Sequence, residues 1–354
     1  RAEFVVLQEA YTTTATAEFA DLLLPASSWG EKDGTVTNSE RRISRVRAAV
    51  APPGAARHDW AIAIAIARRL EARLRPGAPT LFGFDGPEAI WLEHRETTRG
   101  RDLDITGLSF QVLDTQGPQQ WPMPAGAATG RPRLYTDGRF ATPDGRARFV
   151  DTPALPLAEP RDARFPFSLT TGRLRDQWHG GSRTGTLGRL FGHQAEPGID
   201  LHAQDMARLR LQEGDLVQVQ SRRGMLVLPA RHSDAVAPAQ AHVAMHWGGE
   251  VLGAADAQGL AAGVNVLTNP AFCPQSRQPE LKHTAVRLQK AALPWQLVAA
   301  AWLPEDDALA LRRQLQPLMR GFGYACTVPF GHQRHGVLLR LARPPPAEGR
   351  AVPP

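Results

Sequence analysis

The segment Ser168–His179 reads S-L-T-T-G-R-L-R-D-Q-W-H, and it decides how the rest of the chain is interpreted. The apolar run Phe165–Leu169 overlaps its start and predicts a short strand. Gly172 follows, and a residue without a Cβ atom allows a tight turn and a close approach of the backbone to a ligand. The guanidinium groups of Arg173 and Arg175 are planar donors of the kind that bind phosphate or the edges of purines.

The other side chains of this segment leave two interpretations open. The hydroxyls of Thr170 and Thr171 can donate to anionic oxygens, and Trp178 and His179 offer flat surfaces for stacking. Such a set is typical of a nucleotide or phosphate site. It is equally compatible with a strand, a turn and a polar loop, because motifs of this size often match by chance.

Three blocks of the sequence resemble the molybdopterin oxidoreductases, the dimethyl sulfoxide reductase family. One is Thr171-Gly172-Arg173 followed by Trp178-His179, which is similar to the start of the family's molybdopterin-dinucleotide-binding domain. The others are Ala20–Arg47 and Asn265–Leu288, and the three stand in the family's order. The string R-D-Q-W-H-x-x-S-R-T-G, Arg175–Gly185, most resembles the catalytic subunit of assimilatory nitrate reductases.

The resemblance implies that the chain is the C-terminal part of such an enzyme. The implied fold class is α/β plus all-β: the end of an α/β cofactor-binding domain, a double-psi-type β-barrel that binds the dinucleotide, and a small α+β tail. The implied reaction is reduction of nitrate to nitrite with molybdenum bis-molybdopterin guanine dinucleotide. Formate dehydrogenase, periplasmic nitrate reductase and a non-catalytic molybdopterin-binding module are the alternatives.

By the same resemblance, the metal ligand and a 4Fe-4S cluster belong to sequence upstream of Arg1, so we expect no catalytic residue and no metal ligand here. The implied electron donor is a reductase, a ferredoxin or a flavodoxin. Trp247 is the residue implied near the substrate funnel. The implied cofactor contacts are Gln8, Glu9, Lys32, Asp59, Thr170, Thr171, Gly172, Arg173, Leu174, Arg175, Asp176, Gln177, Trp178, His179, Asn265 and Lys282.

Several of these residues have an ordinary structural alternative. Lys32 can be a surface lysine in a loop, and Asp59 can simply cap the helix that follows it. Asn265 can stabilise a turn, and Lys282 can lie on the face of a strand. Trp247 can be an aromatic residue of a core. The sequence leaves both interpretations of each residue open.

Composition narrows the classes of protein to which the chain can belong. Of the 354 residues, 42% are hydrophobic, which is enough for a sizeable core, and the net charge is +6. A basic balance suits an anionic cofactor or substrate, and without a helix-turn-helix, zinc-finger or RNA-binding signature we expect no nucleic-acid partner. The sequence has no signal peptide and no apolar run near the ~20 residues that span a bilayer, so we expect no membrane partner.

The cysteine content limits which covalent and metal sites this sequence can form. Cys273 and Cys326 are far apart and neither belongs to a Cys-x-x-Cys pair. This argues against a disulfide framework, a zinc site or an iron–sulfur cluster within these residues. Unpaired cysteines also fit a reducing compartment, and we expect a cytoplasmic protein.

The start of the chain predicts a parallel βαβ unit. Apolar runs at Phe4–Leu7 and Asp21–Pro25 predict strands, and Thr12–Ala20 between them predicts a short helix. Gly30–Glu40 is rich in turn-forming residues and predicts a loop, whereas the apolar spacing of Trp60–Leu74 predicts a helix. We assign residues 1–75 to the C-terminal part of the α/β domain.

The later part of the sequence predicts a β-barrel. Leu216–Gln220 and Met225–Ala230 predict a hairpin, and His242–Met245 and Ala285–Leu288 predict further strands. Many short strands separated by turns are typical of a closed barrel, which we assign to residues 161–290. Residues 76–160 predict an irregular connection, with a helix at Pro87–Thr97.

Residues 291–354 form the predicted C-terminal extension. Leu297–Leu303 and Val337–Leu341 predict strands, and Asp307–Met319 predicts a helix. The proline run that starts at Pro344 predicts a disordered end.

Overall fold

The computed structural model describes residues 2–253 and 263–345, which belong to two compact units, Arg1–Pro153 and Ala154–Pro354. Each unit has a hydrophobic core of its own. The end of the chain that we expected to be disordered lies, from residue 346 onward, outside the described residues. No helix in the described part of the chain is long and apolar enough to cross a membrane.

The first unit begins with the predicted pair of parallel strands. Strand β1 (Val6–Glu9) pairs with β2 (Leu22–Pro25), and Glu9 lies opposite Pro25. The segment between them forms a 3₁₀ helix, Ala15–Phe19, instead of the longer helix predicted, because none of its residues is buried and packing does not stabilise it. The carboxyl ends of β1 and β2 share one edge, where ligands bind in open α/β sheets.

A second sheet of this unit is antiparallel. It consists of β3 (Gly34–Thr37), β4 (Arg42–Val46) and β5 (Gln119–Gln120), with β4 in the middle. The predicted loop over Gly30–Glu40 is therefore wrong at β3. Pairing with β4 forms this strand, and the local composition of a segment does not reveal a cross-strand partner.

Three helices complete the first unit: α1 (Asp59–Leu74), α2 (Pro87–Glu96) and α3 (Phe110–Gln116). The first two confirm the predicted helices, and α3 was not predicted. Residues of α2, α3 and the segments beside them pack with β4 in the core of the unit. This core consists of Ile43, Trp91, Ile105, Leu108, Phe110, Leu113 and Met123.

Six strands of the second unit close into a barrel, as predicted. They are β6 (Phe167–Gly172), β7 (Ile199–Leu201), β8 (Leu216–Gln220), β9 (Met225–His232), β10 (Gln240–Ala244) and β11 (Thr284–Lys290). Their order around the barrel is β10-β6-β11-β8-β9-β7, with parallel and antiparallel pairs. A short helix, α4 (Ala203–Arg208), lies between β7 and β8 in the sequence.

Alternating burial explains why these strands face a common interior. Along β6, Phe167, Leu169 and Thr171 are buried and the residues between them are partly exposed. Successive side chains of a strand point to opposite faces, so this pattern turns one face of β6 into the core. The predicted β8–β9 hairpin is confirmed as an antiparallel pair, from Leu216 opposite Pro229 onward.

The extension after the barrel is an antiparallel sheet with one helix. It contains β12 (Trp295–Leu303), α5 (Glu305–Met319), β13 (Tyr324–Phe330) and β14 (His335–Arg343), and the sheet order is β12-β14-β13. Strand β13 was not predicted, because its burial depends on the barrel. Its Tyr324, Cys326 and Val328 belong to the same hydrophobic core as the barrel strands.

We expect Leu228→Ala to lower the free energy of unfolding by about 2–5 kcal/mol, because Leu228 is fully buried in the barrel and its truncation leaves a cavity. The measurement is the urea midpoint at an unchanged m value. Met225→Ala is the control on the same strand; this exposed side chain should change stability by no more than about 0.5 kcal/mol. Equal effects of the two substitutions would contradict the placement of Leu228 in the core.

Candidate cofactor site

Three of the implied cofactor residues of the first unit meet at Asp59. Its Oδ1 accepts a hydrogen bond from Nε2 of Gln8 at 2.6 Å, and its Oδ2 is paired with the ammonium group of Lys32. Burial alone would raise the pKa of Asp59, but the bonds from Lys32 and Gln8 outweigh it and hold this pKa below its usual range. The first unit thus presents an ionised carboxylate beside an amide and a cation.

Asp59 is not the N-cap of the helix that it begins. His58 is the N-cap of α1 and Asp59 is its first helical residue, with its side chain bonded across to Gln8 and Lys32. Glu9 does not join this group in the described structure. Its Oε1 accepts hydrogen bonds from the backbone N–H groups of Ala10 and Tyr11, at 2.7 and 3.2 Å.

In the second unit, His246 holds both ends of the segment that follows β6. Its Nε2 accepts a hydrogen bond from the backbone N–H of Leu174 at 2.9 Å. Its Nδ1 donates to the carbonyl oxygen of His179 at 2.6 Å, so the imidazole is neutral, with its proton on Nδ1. Sequence reasoning missed His246, because both of its partners are backbone atoms of a distant segment.

Gly172 is required at the end of β6 by close packing. A Cβ atom at this position would lie 2.6 Å from Cε1 of His242 on the neighbouring strand β10. His242 in turn lies 3.1 Å, from its Nδ1, from the hydroxyl oxygen of Thr170, and burial lowers the pKa of this imidazole. The structure shows a close approach of His242 to Gly172, and the predicted approach of the backbone to a ligand at this position stays a prediction.

Arg173 and Trp178 form the open part of the site. The guanidinium carbon of Arg173 lies 4.5 Å from the centroid of the Trp178 ring, and Trp178 is 52% exposed. Neither a hydrogen bond nor an ion pair to this guanidinium occurs within residues 2–253 and 263–345. The ring of His179 meets that of Trp178 edge-on at 4.7 Å. A planar cation beside an exposed aromatic face can bind an anion and stack on a base.

Unlike Arg173, Arg175 forms an ion pair with a neighbouring side chain. Its Nε and Nη2 donate to the two carboxylate oxygens of Asp176, at 2.7 and 2.8 Å. These hydrogen bonds hold the pKa of Asp176 below its usual range. Both residues are implied cofactor contacts, and in this structure they form a bidentate ion pair with each other.

Other implied contacts serve the frame of the site. The hydroxyl of Thr171 donates to the carbonyl oxygen of Leu281 at 3.1 Å, and Lys282 donates to the carbonyl oxygen of Thr171 at 2.8 Å. Thr170 donates to the carbonyl oxygen of Ala241 at 3.2 Å. The predicted availability of the two threonine hydroxyls to an anion is therefore not what the structure presents.

Gln177 is also internal. It is buried, its Nε2 donates to the carbonyl oxygen of Leu190 at 3.3 Å, and its Oε1 accepts from the hydroxyl of Thr184 at 2.8 Å. The same hydroxyl accepts from the backbone N–H of Trp178 at 3.1 Å. Thr184 thus fixes two neighbouring residues of the segment.

Asn265 and Trp247 lie in different surroundings. Asn265 is exposed in the 3₁₀ turn Val264–Val266, where its carbonyl oxygen accepts a hydrogen bond from Thr268. Trp247 is 2% exposed and packs against Phe191 in the barrel core, with ring centroids 6.0 Å apart. Trp247 is therefore a core aromatic whose buried Nε1 has no hydrogen-bond partner in the described part of the chain, and its implied place near a substrate funnel stays a prediction.

Metal ions in proteins are bound by groups of several side chains, among them histidine, cysteine, aspartate and glutamate. In the described ranges, no group of three or more histidine, cysteine, aspartate or glutamate side chains could hold a metal ion. Both cysteines are free, and burial raises the pKa of Cys326 to about 12, which keeps it a thiol. Each unit presents its own polar group: Arg173 beside Trp178 in the second unit, and Asp59 with Gln8 and Lys32 in the first.

Comparison with known proteins identifies the family. Residues 167–285 match the family described as molydopterin dinucleotide binding domain, and residues 1–69 match molybdopterin oxidoreductase. The chain belongs to the molybdopterin oxidoreductase family. The first match contains Arg173, Trp178 and His246, and the second contains Gln8, Lys32 and Asp59.

Several relatives are similar in sequence. The chain is 40% identical to a nitrate reductase of Synechocystis sp. over 289 residues, which are 80% of this chain and 39% of the relative. It is 34% identical to an assimilatory nitrate reductase of Haloferax mediterranei (81% of this chain, 38% of the relative). It is also 34% identical to an F420-dependent formate dehydrogenase subunit alpha of Methanocaldococcus jannaschii (81% and 39%). The chain spans about two fifths of the length of these relatives.

A solved structure supports the fold. Acetylene hydratase from Pelobacter acetylenicus matches 82% of this chain and 40% of its own chain, with a TM-score of 0.57 and 16% sequence identity. At this identity the similarity concerns the fold, an α/β part with a closed β-barrel.

The protonation of His246 gives a pH-dependent prediction. Its pKa lies below the usual 6.5, chiefly because of burial and also because of the charge of Arg173, so the folded protein keeps it neutral. Below that pH the unfolded chain takes up a proton that the folded chain does not. The stability that His246 provides is therefore complete above the unfolded pKa and is lost as the pH falls.

We expect the stability advantage of the wild type over His246→Gln to shrink between about pH 7.5 and about pH 5, by no more than about 1.4 kcal/mol per pH unit. Glutamine can accept from Leu174 and donate to His179 but does not titrate in this range. The measurement is the free energy of unfolding in urea at each pH. Parallel pH profiles for the two proteins would show that His246 is not a neutral bridge.

Proposed function

We propose that this chain is the C-terminal, cofactor-holding part of an assimilatory nitrate reductase that reduces nitrate to nitrite. The observation that carries the proposal is the pair of Arg173 and Trp178, an unpaired guanidinium within the described residues resting on an exposed aromatic face. It stands at the end of β6, inside the matched dinucleotide-binding domain. Because the chain spans about two fifths of its relatives, catalysis is a property proposed for the full-length protein.

The residues of the second unit fit one end of a dinucleotide. A pyrophosphate is an anion for which a guanidinium supplies charge-assisted hydrogen bonds, and a purine can stack on an indole face. Gly172 removes a side chain that would otherwise collide with His242, so the backbone beneath the pair stays compact. Arg173 therefore binds and Trp178 orients in this proposal, whereas Thr171, Gln177 and Lys282 hold the frame.

The residues of the first unit fit a guanine edge. An ionised carboxylate accepts hydrogen bonds from donors such as the exocyclic amino group of guanine. Lys32 and Gln8 keep Asp59 ionised and fix its orientation. We assign this group to a second molybdopterin guanine dinucleotide.

When bound, molybdenum bis-molybdopterin guanine dinucleotide supplies transfer of an oxygen atom and of two electrons. This chain's residues fix the position of that cofactor and contribute no metal ligand. We further propose that another part of the full-length protein holds a 4Fe-4S cluster. A reductase, a ferredoxin or a flavodoxin donates the electrons, and the protein acts in the cytoplasm.

Formate oxidation is the second candidate function. It is favoured by the relative named as a formate dehydrogenase, which is as similar in sequence as the assimilatory nitrate reductase, at 34% identity. Nitrate is preferred because R-D-Q-W-H-x-x-S-R-T-G, Arg175–Gly185, most resembles the assimilatory nitrate reductases.

We expect the full-length protein, purified with its cofactor and supplied with reduced viologen dye, to convert nitrate to nitrite. The same preparation should not reduce an oxidised dye when formate is added. The measurements are nitrite formation and dye absorbance under anaerobic conditions. Formate oxidation without nitrite formation would replace the nitrate proposal with the second candidate, and a cofactor-loaded protein inactive with both would support a binding module.

We expect Arg173→Ala in the full-length protein to weaken cofactor retention by about ten- to a hundred-fold, since hydrogen bonds to charged groups contribute about 1.5–3 kcal/mol. Arg173→Lys should restore only part of it, because lysine is a point donor. Molybdenum and guanine contents are measured together with the melting temperature. Arg313→Ala, an exposed arginine of α5, is the control and should retain the cofactor. Full occupancy in Arg173→Ala would show that the segment after β6 is only a turn.

A further inference from the structure

The C-terminal extension contacts the turn that follows the segment carrying Trp178. Arg312 lies on α5, and its Nη1 donates a hydrogen bond to the carbonyl oxygen of Gly185 at 2.9 Å. Gly185 belongs to the 3₁₀ turn Thr184–Thr186, which follows the segment in the sequence. The guanidinium of Arg312 therefore reaches from the extension to the backbone of Gly185, a buried residue of this turn.

This turn is the support of the candidate cofactor residues. Thr184 donates to the side chain of Gln177 and accepts from the backbone N–H of Trp178. Gly185 also donates from its own N–H to the carbonyl oxygen of Gly181 at 2.6 Å. Arg312 is thus hydrogen-bonded to Gly185, and Thr184, the residue before Gly185 in the sequence, is hydrogen-bonded to Trp178.

The backbone just after the turn packs closely against the extension. A Cβ atom at Gly188 would lie 2.5 Å from the backbone carbonyl of Phe330 at the end of β13, so the two backbones touch. A cavity of about 10 Å³ lined by Arg312, Thr186 and Gly188 remains, which is at the lower limit for one water molecule.

Arg312 is an unusual group to place there. Its Nε is buried without a hydrogen-bond partner, and burial lowers the pKa of the guanidinium, so its location costs free energy. The nearby carboxylate of Glu250 offsets part of that cost. An apolar side chain would pack the same space without this penalty, whereas only a long donor can bond the carbonyl oxygen of Gly185.

We infer that Arg312 is a positioning residue for the dinucleotide, acting through the turn Thr184–Thr186 on Trp178. The extension is then a brace for the cofactor segment. This inference rests on the proposed function of that segment. Arg312 itself contacts no ligand in this arrangement, so its effect must appear in the order of the turn and in the retention of the cofactor.

The test compares Arg312→Met with Gln316→Met in the full-length protein purified with its cofactor. Gln316 lies one turn further along α5 and donates to the carbonyl oxygen of Gly249 at 2.8 Å, so its variant removes a matched contact that does not involve the turn. Methionine keeps most of the apolar stem in both variants. Both should show similar melting temperatures.

Two readouts are expected to separate these variants. Trypsin cleavage after the exposed Arg183, which directly precedes the turn, should be roughly three- to tenfold faster in Arg312→Met, matching loss of one hydrogen bond. Release of guanine nucleotide during dialysis should accelerate by a similar factor. Gln316→Met should match the wild type in both. Arg312→Lys, which keeps one donor, should lie between wild type and Arg312→Met and carries the test if that variant does not fold.

Each contrary result has a distinct meaning. Unchanged cleavage in Arg312→Met, or equal acceleration in Gln316→Met, overturns the assignment of Arg312. Faster cleavage with unchanged guanine release also overturns it, since the turn then has no influence on the cofactor. In that last case Arg173→Ala decides the proposed function separately: full guanine retention there removes the cofactor role of the segment, and loss there preserves it.

Discussion

The site after β6 depends on one neutral imidazole. His246 accepts from the N–H of Leu174 and donates to the carbonyl oxygen of His179, and these two atoms bracket the segment that carries Trp178. A protonated imidazole has two donors and no acceptor, so it could not make both bonds. Burial keeps the ring neutral, which means that the hydrophobic core of the barrel also sets the conformation of a polar surface segment. Packing and binding are therefore coupled through a residue that faces no ligand.

The segment divides its polar groups between two tasks. Those that bond backbone or internal partners, such as Thr171 and Gln177, hold the segment in place. Those on the outer side, Arg173 and Trp178, keep their open faces. In the first unit Asp59 is likewise held by neighbouring side chains, because Lys32 and Gln8 keep its carboxylate ionised and fix the orientation of that group. In the sequence the polar residues of this segment look equivalent. In the structure Arg173 and Trp178 have open faces, and the internal hydrogen bonds of Thr171 and Gln177 support the segment that carries them.

The sequence was sufficient wherever structure follows from local pattern. Alternating apolar residues predicted the β8–β9 hairpin, and apolar spacing predicted α1, since each signal lies within the element itself. Strands β3 and β13 were not predicted, because each depends on a partner elsewhere in the chain. Strand β3 pairs with β4, and β13 packs in the barrel core. At the site, the residue types of Arg173 and Trp178 predicted a cationic and an aromatic cofactor contact; the structure brings the two side chains together, and their contact with a cofactor stays a prediction. His246 and Arg312 could not be found this way, because they act on backbone atoms far away in sequence.

The magnitudes show why such support matters for a tightly held cofactor. Ordering one flexible side chain on binding costs about 0.5–1.5 kcal/mol. An exposed cation–π contact contributes about 0.5–1 kcal/mol, so the contact between Arg173 and Trp178 roughly offsets the cost of ordering that arginine before the ligand arrives. The gain at one position is small, at most about tenfold in affinity. Under the proposed function, tight retention therefore requires several preordered groups at once, and His246 and Thr184 each fix a backbone N–H of the segment after β6.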